Sequence, residues 1–145
     1  MLGLMLGTEG TRQAGKAGLP GKATALVNRR TGRVLATSVE VARTRASRRR
    51  GLLGRDSFDV AGAFVLSPCC AIHTAFMRFA IDVVFVDKNG AIVSILHELQ
   101  PWNLAIRPRA RAVIEMASGA LRAHDIQLGD SLVLTLRPEP RGQRG

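Results

Sequence analysis

Between Cys69 and Asp87 the chain runs CCAIHTAFMRFAIDVVFVD, and this stretch gathers most of the groups able to do chemistry. It holds both cysteines, one of the three histidines, Thr74, Arg78 and two aspartates among apolar residues. Cys69, His73 and Asp82 are the residue types of a nucleophile, a base and an orienting acid, the set used in hydrolytic or thiol chemistry. Cys69 or Cys70 with His73 also has ligand-like spacing. A structural zinc takes four ligands and a catalytic one three plus water. His97 and His124 stand alone on other segments. The ligand count falls short, so no metal and no cofactor is expected.

The spacing also argues against a thiol enzyme. Four residues bring Cys69 and His73 together only on a helix or a suitable bend, and Pro68 opposes a regular helix there. No glycine-rich elbow follows. In an extended segment His73, Ala75 and Met77 share one face, and Thr74, Phe76 and Arg78 the other. A polar knot then becomes the simpler arrangement. Arg78 would pair with Asp82, because charges bordering core must be compensated, while His73 and Thr74 bond loop backbone. A third arrangement is a binding cleft with His73, Thr74, Arg78, Trp102 and Arg107 on its rim. Trp102 is the only tryptophan and follows Pro101 in an expected loop, where it is either a stacking platform or a plug. Whether the chain is an enzyme stays open. An enzyme needs Cys69 or His73 in a pocket beside a partner; a binding module needs a concave basic or aromatic surface.

Composition sets the frame. The chain has 145 residues, 46% of them apolar, which predicts one domain with a sizeable core. There are five Phe, one Trp and no Tyr, so that core is aliphatic. The net charge of +10 makes anionic partners plausible, a small anionic ligand or a protein. Nucleic acid is a further candidate, through the six arginines between Arg43 and Arg55. Yet 18 of the 21 basic residues are Arg, a bias that a GC-rich coding background also produces. Adjacent cysteines rarely form a disulfide, so reduced thiols and a cytoplasmic setting are expected. No apolar run approaches the roughly 20 residues that span a bilayer. No membrane association is expected.

The elements follow from periodicity. ATALVNRR, Thr31-Gly32 and RVLATSVEVA predict a hairpin. Thr44 predicts the cap of a short helix ending at Gly54. AGAFVLS and IDVVFVD predict strands, the second buried on both faces. Asn89-Gly90 predicts a tight hairpin into AIVSILHEL. AVIEM is a further strand, Ser118 and Gly119 open a short turn or helix, and DIQLGD leads into SLVLTL, where leucines alternate. The expected fold is α+β and β-rich, a small antiparallel, partly closed β-barrel-like sheet of six or seven strands with one or two short helices. Residues 1–22 read as a flexible arm, 23–137 as one globular domain and 138–145 as a flexible tail.

The order RRRGLLGR, PCCAIHTAFMRFAIDVVFVDKNGAIV, QPW, VIEMASG and DIQLGD resembles the bacterial and archaeal family called domain of unknown function 192. The resemblance spans roughly Ser38 to Leu136. It implies a compact β-rich α+β domain with a barrel-like sheet, and no reaction. Cys69, Ile72, His73, Thr74, Met77, Arg78, Ile81 and Asp82 fall on the family's central motif. Ala80 departs from it, standing where many members have Pro. Cys70 is at a variable position.

Overall fold

The computed structural model describes residues 24–136. The expected arm and tail lie outside the described residues. The chain order is β1 (Thr24–Asn28), β2 (Val34–Ala36), β3 (Ser38–Ala42), α1 (Arg45–Arg50), β4 (Gly62–Leu66), β5 (Ala71–His73), β6 (Ile81–Val86), β7 (Ile92–Leu99), β8 (Leu104–Ile106), β9 (Ala112–Ala117), a 3-10 helix (Ala120–Ala123) and β10 (Leu132–Leu136).

The two near-continuous apolar runs lie inside the largest sheet, ordered β3-β4-β9-β6-β7. Every residue of β6 and β9 is buried, because this sheet is covered on both faces. Val84, Val86, Ile114 and Met116 pack with Leu26, Leu35, Leu132 and Leu134 of the three-stranded sheet β10-β1-β2. Val83, Phe85 and Val113, on the other face, pack with Leu52, Ile72 and Ala105. Leu52 comes from the segment after α1; Ile72 and Ala105 come from the two-stranded β5-β8 ribbon. Asp82 and Glu115 are the two acids that interrupt these runs, both buried.

Several expectations are corrected. The described residues form ten strands, because short edge pieces such as β5 and β8 carry too few residues to show a period. The second arm of the first hairpin breaks at Thr37, where the Thr37 and Ser38 N–H groups both donate to the Ala61 carbonyl. That break lets β2 stay antiparallel to β1 while β3 runs parallel to β4. The sheets are therefore mixed rather than wholly antiparallel, and no sheet closes on itself among the described residues. Thr44 caps α1 as expected, with Ser47 completing a reciprocal capping pair, but the helix ends at Gly51, not Gly54. Gly51 has φ 44°, a conformation open to glycine.

The DIQLGD turn does more than enter a strand. Asp130 accepts from Asn28 Nδ2 at 2.8 Å, Arg30 Nε at 2.7 Å and the Gln127 N–H at 2.9 Å. It thereby ties the β1 turn to the β10 entry. The Arg30 hydrogen bond, with those of Asn28 and Gln127, pulls the Asp130 carboxyl down to about 2. A depressed carboxylate stabilises the fold above its unfolded value of 3.8, and that stability is lost as pH falls through about 2. Asp130→Asn is expected to unfold with a shallower dependence on pH between 4 and 2 than the parent, measured by urea midpoint across that range.

Candidate functional site

Thr74 organises the rim beyond the β5-β8 ribbon. Its side chain is fully buried and its hydroxyl donates to the Gln100 carbonyl at 2.7 Å. The same oxygen accepts from the Asn103 N–H at 2.8 Å. Its main chain bonds the Asn103 carbonyl and receives the Trp102 N–H at 3.0 Å. Four bonds from one residue clamp the QPWN loop against the loop that follows β5. The Met77 N–H closes a turn onto the Thr74 carbonyl at 3.2 Å, placing Phe76 at a turn position with φ 63°. Trp102 has φ 67° in the facing loop. Positive φ suits glycine; a bulky residue there is strained by about 1–3 kcal/mol.

The two strained residues meet. The rings of Phe76 and Trp102 lie 4.6 Å apart between centroids at 60° to each other. Phe76 is 72% exposed and Trp102 67%, so the pair faces solvent instead of filling core. Beside it, Leu104 is 68% exposed and Ile106 52%. Alternation explains the strip: Ile72 and Ala105 face the core, leaving His73 opposite Leu104 and Ala71 opposite Ile106 on the outer face.

Of the expected site residues, Thr74 and Trp102 come together, with His73 on the ribbon adjoining them. Arg107 does not join. It lies past the other end of β8, with its guanidinium 5.4 Å over the Phe85 ring and its Nε on Ser94 Oγ at 2.9 Å. Arg78 does not pair with Asp82; it pairs with exposed Asp56. The reason is that β5 ends at His73 and a turn follows, so the assumed extended alternation never reaches Arg78.

Asp82 serves the backbone. Its Oδ1 accepts from the Glu98 N–H at 2.8 Å and its Oδ2 from the Leu121 N–H at 3.0 Å. It stands opposite Met116, on the sheet face packed against the three-stranded sheet. The ribbon carrying His73 covers the other face. Cys69 is half-buried and its thiol donates to the Ala71 carbonyl at 3.0 Å, and Cys70 is exposed. Cys69, His73 and Asp82 are thus not brought together. No group of three or more His, Cys, Asp or Glu able to hold a metal occurs among the described residues. Sequence reasoning missed Phe76 as a site residue and Glu115 as a buried acid. Only the spacing of Phe76 from the motif's turn, without a glycine to mark it, was there to find.

Comparison with known proteins places these features in context. The family domain of unknown function 192, described as an uncharacterized ACR, matches residues 26–134. A UPF0127 protein of Thermococcus sibiricus is 30% identical over 112 residues, 74% of this chain and 72% of that one. A UPF0127 protein of Thermococcus gammatolerans is 33% identical over 111 residues, 72% of this chain and 71% of that one. A solved structure from Sinorhizobium meliloti 1021, provisionally described as a transcription regulator, is similar with a TM-score of 0.68 at 18% identity, covering 83% of this chain and 98% of that chain. A protein of unknown function from Novosphingobium aromaticivorans is similar at TM-score 0.65 and 20% identity, covering 85% and 98%. Likeness at such identity shows the fold alone. Among the described residues no helix is long and apolar enough to cross a membrane.

Proposed function

The chain belongs to the domain of unknown function 192 family, and from that premise we propose that it is a binding module whose contact surface is the exposed Phe76–Trp102 pair with Leu104 and Ile106. The observation carrying this reading is that two bulky residues are held at positive φ, ring against ring, and pointed at water. Strain that adds no core packing is characteristic of surfaces selected for contact. The partner is an extended protein segment with apolar side chains set between acidic ones. The two-stranded ribbon gives such a segment an edge to lie along. The net charge of +10 favours acidic flanks.

Two finer readings join this proposal. The two larger sheets act as one partly closed barrel, supported by the Ala91–Ser131 bridge and the Ile92 N–H to Asp130 carbonyl bond at 2.9 Å. The protein works in the cytoplasm, supported by the exposed free thiol of Cys70. The alternative of a Cys69–His73–Asp82 enzyme lacks converging geometry.

Trp102 is the only tryptophan, so its fluorescence reports the site directly. Titration with a synthetic peptide alternating Glu with Leu and Phe is expected to shift that emission saturably. Phe76→Gly, which keeps the reporter, is expected to weaken binding at least about tenfold, as loss of an aromatic anchor does. Emission unchanged by the peptide would sink the proposal. So would tighter engagement of a single-stranded oligothymidylate with steep salt dependence, the outcome that a nucleic-acid role, such as the provisional description of the Sinorhizobium neighbour names for that protein, would give.

A further inference from the structure

A second feature lies past the far end of β8 from the aromatic pair. Lys88, Arg109 and Arg111 line an open pocket of about 540 Å³, with Ala91, Ile92 and Gly129 also on its wall. Its size lies within the roughly 300–1,000 Å³ of small-molecule sites.

Arg30, Arg55, Arg78 and Arg122 each hold a carboxylate, of Asp125 and Asp130, Glu40, Asp56 and Glu98 respectively. Lys88, Arg109 and Arg111 form no ion pair with the described residues. Asp87 is the pocket's one acid, and its Oδ1 is engaged by the Asn89 and Ala91 N–H groups at 2.8 and 3.1 Å. That bonding holds the carboxylate to the hairpin turn, and three basic side chains outnumber this one acid around the pocket. Arg111 is held in place by neutral acceptors: its Nη1 donates to the Pro108 and Ala110 carbonyls at 3.1 and 3.0 Å, and its N–H to the Val86 carbonyl at 2.8 Å. The Ala110 N–H bonds the Arg107 carbonyl at 2.8 Å, closing the turn that presents Arg109. A positioned guanidinium, a second arginine and a lysine facing one opening are the groups that hold a phosphate: forked donors from arginine and a point charge from lysine.

We propose that this pocket binds the phosphate group of a small phosphorylated molecule. The site is separate from the aromatic rim, and neither depends on the other. Lys88 and Arg109 are exposed, so their removal leaves the core intact.

Calorimetric titration of the full chain with pyrophosphate, at moderate salt, tests it. Saturable binding is expected, weakened at least about tenfold in the Lys88→Ala/Arg109→Ala variant by loss of charge-assisted hydrogen bonds. The Arg33→Ala/Arg122→Ala variant removes the same charge elsewhere and is expected to change affinity by less than about twofold, since distant exposed charges are screened. Equal weakening in both variants means diffuse attraction to a basic surface and overturns the site. No binding of pyrophosphate overturns it too. Binding of oligothymidylate through Lys88 and Arg109, without binding of pyrophosphate, assigns the phosphate to a nucleic-acid backbone and overturns the small ligand.

Discussion

Glu115→Gln is expected to stabilise the protein by about 3 kcal/mol at pH 8 and by less than about 1 kcal/mol at pH 5. Glu115 lies mid-strand in β9, opposite Phe64 on one side and Val83 on the other. It is buried and makes no hydrogen bond to the described residues. Burial pushes its carboxyl from 4.5 up to about 7, against the opposing field of Arg55. Arg55 gives only partial relief because it is bound to Glu40 at 2.7 Å and lies 5.8 Å over the Phe64 ring. The sign follows from linkage. The folded state prefers the protonated acid, so no penalty exists below pH 4.5; the penalty grows as pH rises and is complete above about 7. Glutamine keeps the shape and never ionises. Urea unfolding of both proteins at the two pH values measures the effect. A variant less stable than the parent at pH 8 would show that the Glu115 charge is compensated.

Asp82→Ala is expected to destabilise by about 2 kcal/mol or more, from one buried and one part-buried N–H group left without acceptors. One is Leu121, which carries the 3-10 helix into the core; the other is Glu98, held at φ 53° where the β6-β7 pairing shifts register. Losing the carboxylate therefore frees both a strained bulge and a helix start. Urea denaturation followed by circular dichroism gives the number. A variant as stable as the parent would return Asp82 to the list of groups kept for chemistry.

Much of this was legible in the sequence, for reasons that differ by element. The run IDVVFVD announced a strand buried on both faces, because a covered sheet needs no polar side, and AVIEM announced a further strand. Asn89-Gly90 and Thr44 marked a turn and a cap through local chemistry alone. What local signals do not carry is partner choice. The break at Thr37 that sends β3 parallel to β4 depends on a carbonyl 24 residues away in sequence, that of Ala61. The site shows the same limit. Trp102 stood out as a lone tryptophan after Pro101, but Phe76 was placed only on a strand face with Thr74 and Arg78. Its exposure comes from the turn that Thr74 closes, and that turn has no glycine to betray it. Asp82 invited a pairing with Arg78 by proximity in sequence; the sheet turns its carboxylate to the opposite face, toward Leu121.

The central claim is that Phe76 and Trp102 are held out for contact and not for stability. The urea midpoint of the Phe76→Gly/Trp102→Gly variant, followed by circular dichroism, tests it most directly. Glycine relieves two positive-φ strains, while the lost ring contact, about 0.5–1.5 kcal/mol, and the greater unfolded-state entropy of two glycines, about 0.5–1 kcal/mol each, act the other way. A stability within about 1 kcal/mol of the parent is predicted. A loss of about 3 kcal/mol or more, the cost of removing aromatic core, would contradict it.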